Sequence, residues 1–316
     1  MTVPVLLGLA AWRFDLRKRP EGDRLAGAIA KALGQAAMLG AASPLSLLLF
    51  WTATIPAGRA LLLPLVGLFV HAFGGATSWA LARAARADRP TQGVYFLAGA
   101  SSNVLTFGGI VVVLLLRSTS DPHAEHALAE LALYRIFEVP FYFLCAWPLA
   151  ASLAAEDVGD KGFFRRAFRP VTLAPIVCMA AGWALNLAGV KRPAACEGVS
   201  ELLVKINVVL LGLTVGLTLR LASPLKHLVG GLRLASVKFA VVPVVSALMA
   251  ALMGFRGVTL QVVAVCAAMP VAFMAVIASN LLHLDQELVG SLWLLTTLGM
   301  VVVVPLLALG LPLLAK

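Results

Sequence analysis

The sequence predicts an all-α, polytopic membrane protein of about ten transmembrane helices, each judged against the roughly 20 residues a helix needs to span a bilayer. Three observations carry this. Of 316 residues, 61% are hydrophobic and 13% are charged, and the mean hydropathy is +0.95; a soluble domain has about 25% charged residues. Apolar segments follow one another along the whole chain, separated by short polar loops, with no soluble domain of useful size left over. Two of those segments, the fourth and the ninth, are interrupted in their middles.

The segments run as follows. Thr2–Trp12 is too short to span alone; it is either a partial helix or one whose true start lies upstream. It does not read as a signal peptide, because its apolar run precedes the basic cluster. The second segment is Leu25–Thr52, with Pro44 inside, and the third is Ala57–Ala82. The fourth, Gly93–Leu116, is rich in glycine and serine at its centre, and the fifth is Ala127–Ala155. A polar connector of mixed charge, Glu156–Arg169, precedes the sixth, Pro170–Val190. The seventh is Val199–Leu221, the eighth Leu228–Met253, the ninth Gly257–Leu284 and the tenth Glu287–Ala315.

Lys and Arg concentrate in the first, third, fifth and seventh loops, whereas the second, fourth, sixth and eighth hold only Arg59, Arg117, Lys191 with Arg192, and Arg256. Positive residues stay inside, so both termini face outward and the 156–169 connector is cytoplasmic. The same distribution explains the net charge of +10. It points to membrane loops rather than to nucleic acid, for which no binding motif is present. The four cysteines lack metal-ligand spacing and read as core residues. No cofactor is implied.

A short internal repeat matches Val3–Trp12 with Ala174–Trp183, pairing Pro4 with Pro175, Ala10 with Ala181 and Trp12 with Trp183. It divides the chain into residues 1–155 and 170–316. Repeats of five helices have odd parity, so the second copy is inverted, an arrangement found in secondary transporters.

The ninth segment is long enough to span but carries Pro270 at its centre, where a helix must kink or break. Broken helices survive at membrane depth only where they pack in protein or line a wet cavity. Its counterpart in the first half, the fourth segment, reads GASSNVLTFGGI. Gly108 and Gly109 are poor helix formers, so an unwound stretch is expected there. Paired interruptions point to a transport site, and half-helix N-termini attract anions. Candidate substrate-binding residues are therefore Ser102, Asn103, Gly108, Gly109, Met269 and Pro270. For the serines, helix packing through small residues is an equal reading. A buried amide at Asn103 needs a partner.

Charged and titratable groups within the segments are costly and usually functional. Arg135 and Glu138, three apart, are placed to pair on a helix, as a structural ion pair or as part of an anion or proton path. His71 titrates near neutral pH or serves as a packing residue. Lys205 and Asn207 lie in the first turns of the seventh helix, where a lysine snorkels. Asn280 and His283 close the ninth segment at the interface. No enzyme motif is present, so the chain is not read as an enzyme.

Several stretches together resemble the auxin efflux carrier family, which includes plant PIN proteins and many prokaryotic permeases. The strongest are CAAMPVAF around Pro270, HLDQELVGSLWLLTTLGMVVVVPL up to Leu306, and VKFAVVPVV followed by GFRG. LLGLTVGLTLRLASP, VPVLLGLAAW through SPLSLLLF, and Asn103 spaced ahead of Gly108 add to the match. The resemblance implies ten helices in two inverted repeats, with helices four and nine broken and crossing. Helices one, two, six and seven would form a scaffold, and the other six a transport domain that moves as an elevator. It implies a small organic anion as substrate, Asn103 as a carboxylate ligand and Pro270 as the crossover proline. The setting would be a bacterial inner membrane. The oligomeric state stays open between monomer and homodimer. Ile110 stands where the family's proline follows the glycines, Arg169-Pro170 replaces an Asn-Pro, and Arg59 alone is charged where the plant branch has an acid–base pair. These departures weigh against auxin itself and against the plant coupling mode. Two other readings stand beside this one: a sodium-coupled organic-anion symporter of bile-acid type, and a membrane sensor that kept the fold without transporting.

Overall fold

A computed structural model describes residues 7, 22–52, 58–116, 127–154, 170–196, 198–218, 226–282 and 284–314. The first segment apart from Leu7, the 156–169 connector and His283 therefore fall outside the described residues. Among those described, the chain is helical without strands. Among the described residues, five helical runs are long and apolar enough to cross a membrane: Leu25–Trp51, Leu63–Ala84, Ala127–Leu153, Leu228–Leu252 and Gln286–Leu314. Leu173–Leu187, Leu202–Leu217 and Gly257–Ala267 are shorter apolar helices. Leu252, Val301 and Leu309 are 89%, 76% and 75% exposed, which places large apolar side chains on the outer surface of these helices. Such a surface suits lipid rather than water, and the chain is a membrane-embedded helical protein.

The α-helices, in chain order, are α1 Gly22–Ala36, α2 Ser43–Trp51, α3 Leu63–Ala84, α4 Arg89–Ala100 and α5 Gly109–Leu116. They continue as α6 Ala127–Tyr134, α7 Glu138–Phe141, α8 Trp147–Ala154, α9 Pro170–Leu187 and α10 Val199–Thr218. The last are α11 Leu228–Ser236, α12 Val242–Leu252, α13 Gly257–Ala267, α14 Phe273–Leu281 and α15 Gln286–Gly310.

Local chemistry sets several boundaries. Asp88 caps α4 by accepting from Thr91 N at 3.1 Å, and Asp285 caps α15 by accepting from Leu288 N at 3.0 Å, as N-cap carboxylates do. Three long runs contain a π-helical turn: Ala37–Ala42, Tyr142–Ala146 and Val237–Val241. In each, a proline follows two residues later: Pro44, Pro148 and Pro243. Proline cannot donate to the preceding turn and collides with its carbonyl. Widening that turn relieves the collision while the helix continues.

The fifth segment departs from the continuous helix expected, being interrupted at Arg135–Phe137 between α6 and α7. The cysteine expectation is also corrected. All four are free, but only Cys266 is buried, and Cys145 is exposed on an outer face.

The second and sixth segments pack closely, α2 on α9. A Cβ on Gly182 would lie 2.3 Å from Leu47 O, so only glycine permits this approach. Asn186 Nδ2 donates to Trp51 O at 2.8 Å, and Trp51 Nε1 donates to Val190 O at 2.7 Å. Likewise α3 packs on α4 through Gly74 and Gly99, where a Cβ on Gly99 would lie 2.3 Å from Gly74 O.

Two apolar clusters form the interior. One joins Val94–Ala100 of α4 to Val276–Ala278 of α14 and to Leu288–Trp293 of α15; the other joins Val111–Leu116 of α5 to Val258–Cys266 of α13 and to Leu63–Val70 of α3. The first half of the fourth segment thus shares a core with the second half of the ninth, and the reverse. The two breaks meet where the clusters meet.

Candidate functional site

The ninth segment breaks where its proline predicts. α13 ends at Ala267, residues 268–272 are non-helical, and α14 restarts at Phe273 behind an extended Ala272 (φ −78, ψ 154). The fourth segment also breaks, but earlier than the glycines suggested. α4 ends at Ala100, residues 101–103 are extended, and a π-helical turn, Val104–Gly108, leads into α5. Gly108 and Gly109 sit after the break, not in it. Gly108 permits packing instead: a Cβ there would lie 3.4 Å from Met269 Cγ, whereas nothing lies within 4 Å at Gly109. The two breaks touch through the backbone, Asn103 N donating to Pro270 O at 2.8 Å.

A helix end leaves its last carbonyls without intrahelical partners, and in an apolar interior each needs one. At the end of α4 those partners are side chains from other segments. His71 of α3 bonds Ala100 O through Nδ1 at 2.8 Å. A carbonyl only accepts, so Nδ1 carries the proton and Nε2 is left as an acceptor on the neutral ring. Lys238 takes the rest: its Nζ lies 3.3 Å from Gly99 O, 2.8 Å from Ser101 O and 2.9 Å from Ser102 Oγ. An ammonium has three N–H donors and no acceptor, so this set satisfies it. Ser102 N donates to Tyr142 OH at 3.2 Å, and Asn103 O accepts from both Phe107 N and Gly108 N. Across the crossing, Val271 N donates to Thr296 Oγ1 at 3.2 Å.

Four buried polar atoms around this junction lack a partner: Ser101 Oγ, Asn103 Nδ2, Tyr134 OH and His71 Nε2. Buried polar groups are ordinarily bonded. Gathered beside a double helix break, these groups mark a candidate ligand site. The His71 ring lies 5.3 Å from that of Tyr142 and 6.3 Å from that of Tyr134, centroid to centroid, which joins these groups into one polar patch.

Of the residues expected from sequence, Ser102, Asn103, Gly108, Met269 and Pro270 are brought together and buried. Gly109 is half-buried at the edge. Arg135 and Glu138 form the expected ion pair at the interruption of the fifth segment, through Arg135 Nε and Glu138 Oε2, with Glu138 buried. Lys205 is exposed on α10, and Asn207 is half-buried there. That helix packs chiefly against α1 and the π-helical turn Ala37–Ala42, and also against α14. Asn280 is buried rather than interfacial, its Oδ1 accepting from Gln286 Nε2 at 2.9 Å.

Lys238 is the residue that sequence reasoning passed over. It is 1% exposed. The signal was present: a lone cation in the middle third of the eighth apolar segment, where charge is costly and functional by default. Tyr142 and Thr296 gave no comparable signal, because hydroxyls inside helices are common.

The fold and site define a helical membrane protein whose two broken helices meet through their backbones. Comparison with known proteins finds no matching family model and no matching curated protein.

Proposed function

We propose that the chain is a secondary carrier for a small organic anion, a carboxylate above all, working by alternating access. One observation carries this reading. The crossing holds a buried ammonium, Lys238, whose three hydrogen-bond partners are all neutral, beside an unpartnered Asn103 amide. A charge desolvated without a counter-ion is expensive, and a carboxylate arriving nearby would lower that cost. The restarting helices at Val104 and Phe273 add the positive ends of two half-helices.

In this reading the protein belongs with the auxin efflux carriers its sequence resembles, as two inverted five-helix repeats in a bacterial inner membrane with both termini outside. Asn103 Nδ2 donates to the substrate carboxylate, Ser101 Oγ and Tyr134 OH donate beside it, and the Gly108–Met269 contact forms the floor. Arg135 and Glu138 form a structural pair within the mobile part, and Lys205 and Asn207 belong to the scaffold. The chain is not an enzyme, takes no cofactor and binds no nucleic acid.

The test is current recorded on a solid-supported membrane carrying the reconstituted protein, with pulses of malate, pyruvate and indole-acetate. A saturable current is expected, with Asn103→Ala raising the half-saturating concentration about tenfold or more, the loss of one charge-assisted hydrogen bond of about 1.5–3 kcal/mol. An Asn103→Ala current identical to the wild type would remove the site from the crossing.

A further inference from the structure

We infer that Lys238 fills a monovalent-cation site with its own ammonium, so that the protein carries inside its fold the positive charge that a coupling ion would otherwise supply. The transport consequence rests on the carrier reading above; the binding consequence does not.

The argument begins with the oxygens. Broken helices in transporters hold coupling cations on unwound carbonyls and on half-helix C-terminal ends, where the dipole is negative. Here the C-terminal end of α4 offers two such carbonyls, Gly99 O and Ser101 O, and the break itself adds the Ser102 hydroxyl. All are neutral oxygens, the ligand type that hard monovalent cations accept. The group occupying this cradle is itself a compact monovalent cation.

Delivery of that ammonium is built into the eighth segment. Lys238 is the second residue of the π-helical turn Val237–Val241, which ends two residues before Pro243, and that turn packs on α3. The tight α3–α4 packing at Gly74 and Gly99 holds α4 against α3, so the Gly99 carbonyl falls within the lysine's reach. Ala100 O, between the two carbonyls that Lys238 binds, is taken by His71. Gly99 O, Ala100 O and Ser101 O at this helix end therefore each have a partner from the chain.

Among the described residues, the other charged pair near the crossing is Arg135 and Glu138. They are paired with each other, not with Lys238. When protonated, Lys238 is thus a cation available to balance an anion held beyond Ser102 and Asn103.

The full-length protein is purified in detergent, and its melting midpoint is measured in choline chloride and in sodium, lithium or potassium chloride at one ionic strength. The wild type is expected to melt at the same temperature in all four. Lys238→Ala, which empties the cradle, is expected to melt lower in choline and to recover by about 5 °C in sodium or lithium, as ligand linkage predicts for a site near saturation. Ethylammonium, which replaces the lost end of the side chain, is expected to restore it as well. Lys238→Met fills the space without the charge and is expected to respond to no cation. Folding of Lys238→Ala in sodium but not in choline supports the inference equally. A wild-type midpoint that rises in sodium overturns it, as does a Lys238→Ala protein indifferent to every cation or unfolded in all of them. In liposomes, the wild-type anion current is expected to be the same in sodium and choline, and the Lys238→Ala current to require sodium. Absence of any wild-type current counts against the carrier reading alone, because the melting measurements judge the cation site without it.

Discussion

Thr296→Val tests whether the break in the ninth segment is held by a single hydroxyl. Thr296 Oγ1 sits on α15, fully buried, and does two things at once. It accepts from Val271 N at 3.2 Å and donates to Leu292 O at 2.8 Å one turn back. Valine matches threonine in shape, so no cavity opens and the packing contribution is near zero. Leu292 O keeps its intrahelical bond, so losing the second interaction costs little. The first is different, because Val271 is 0% exposed and its N–H has no helix to rejoin. A buried donor stripped of its partner costs about 1–3 kcal/mol in soluble proteins. Hydrogen bonds measured within a membrane protein average about 0.6 kcal/mol. A break pinned on both sides cannot relax to find another acceptor, so roughly 1–2 kcal/mol is expected. For a chain of this size that lowers the melting midpoint by about 2–4 °C. A local readout is sharper: hydrogen exchange at the Val271 amide should quicken by roughly 5- to 30-fold, the same energy expressed as an opening equilibrium. Thr296→Ser, which keeps the hydroxyl, should exchange like the wild type. Unchanged exchange at Val271 in Thr296→Val would refute the reasoning, since it would mean that the hydroxyl does not hold the break.

Three further outcomes follow from the same geometry. Gly67→Ala drives a Cβ to 1.9 Å from Tyr134 O and should destabilise by about 1–3 kcal/mol, while Gly109→Ala, with nothing within 4 Å, should leave the melting midpoint within a degree. Tyr142→Phe removes the acceptor for Ser102 N and should lower the midpoint by about 2 °C, with faster exchange confined to residues 101–103. Arg135→Met alone strands the buried Glu138, so Arg135→Met combined with Glu138→Gln should melt above the single variant, a positive coupling read from a double-mutant cycle.

How much of this was legible in the sequence depends on where each feature has its cause. The break at Pro270 has a local cause, a missing N–H, and the chain displays it openly. The N-caps at Asp88 and Asp285 and the three prolines that follow π-helical turns are local in the same sense. The break in the fourth segment was expected, but it lies at Ser101–Asn103 and not at Gly108–Gly109. Its cause is tertiary: the carbonyls at the end of α4 are met by His71 and Lys238, and Asn103 N is met by Pro270 O, partners at least 29 residues away. Glycine propensity says nothing about such partners. Lys205 carries the opposite lesson, since a cation near a segment end is common, and here it is exposed on α10. Lys238 was undervalued although its depth within an apolar segment was visible, because its meaning lies in three oxygens contributed by another helix.

The crossing's hydrogen bonds also divide the segments into two groups. His71 comes from the third segment, Tyr142 from the fifth, Lys238 from the eighth and Thr296 from the tenth. The second and sixth segments bond each other through Trp51, Asn186 and Val190. Polar bonds in an apolar medium are directional and costly to break, whereas apolar side chains can slide past one another at little cost. A boundary that runs only through apolar contacts is therefore where one body can move against another. In the carrier reading, the crossing would travel with the third, fourth, fifth, eighth, ninth and tenth segments as one unit. The Lys238 amine would travel with it, so a cation able to balance a bound anion would stay at the site.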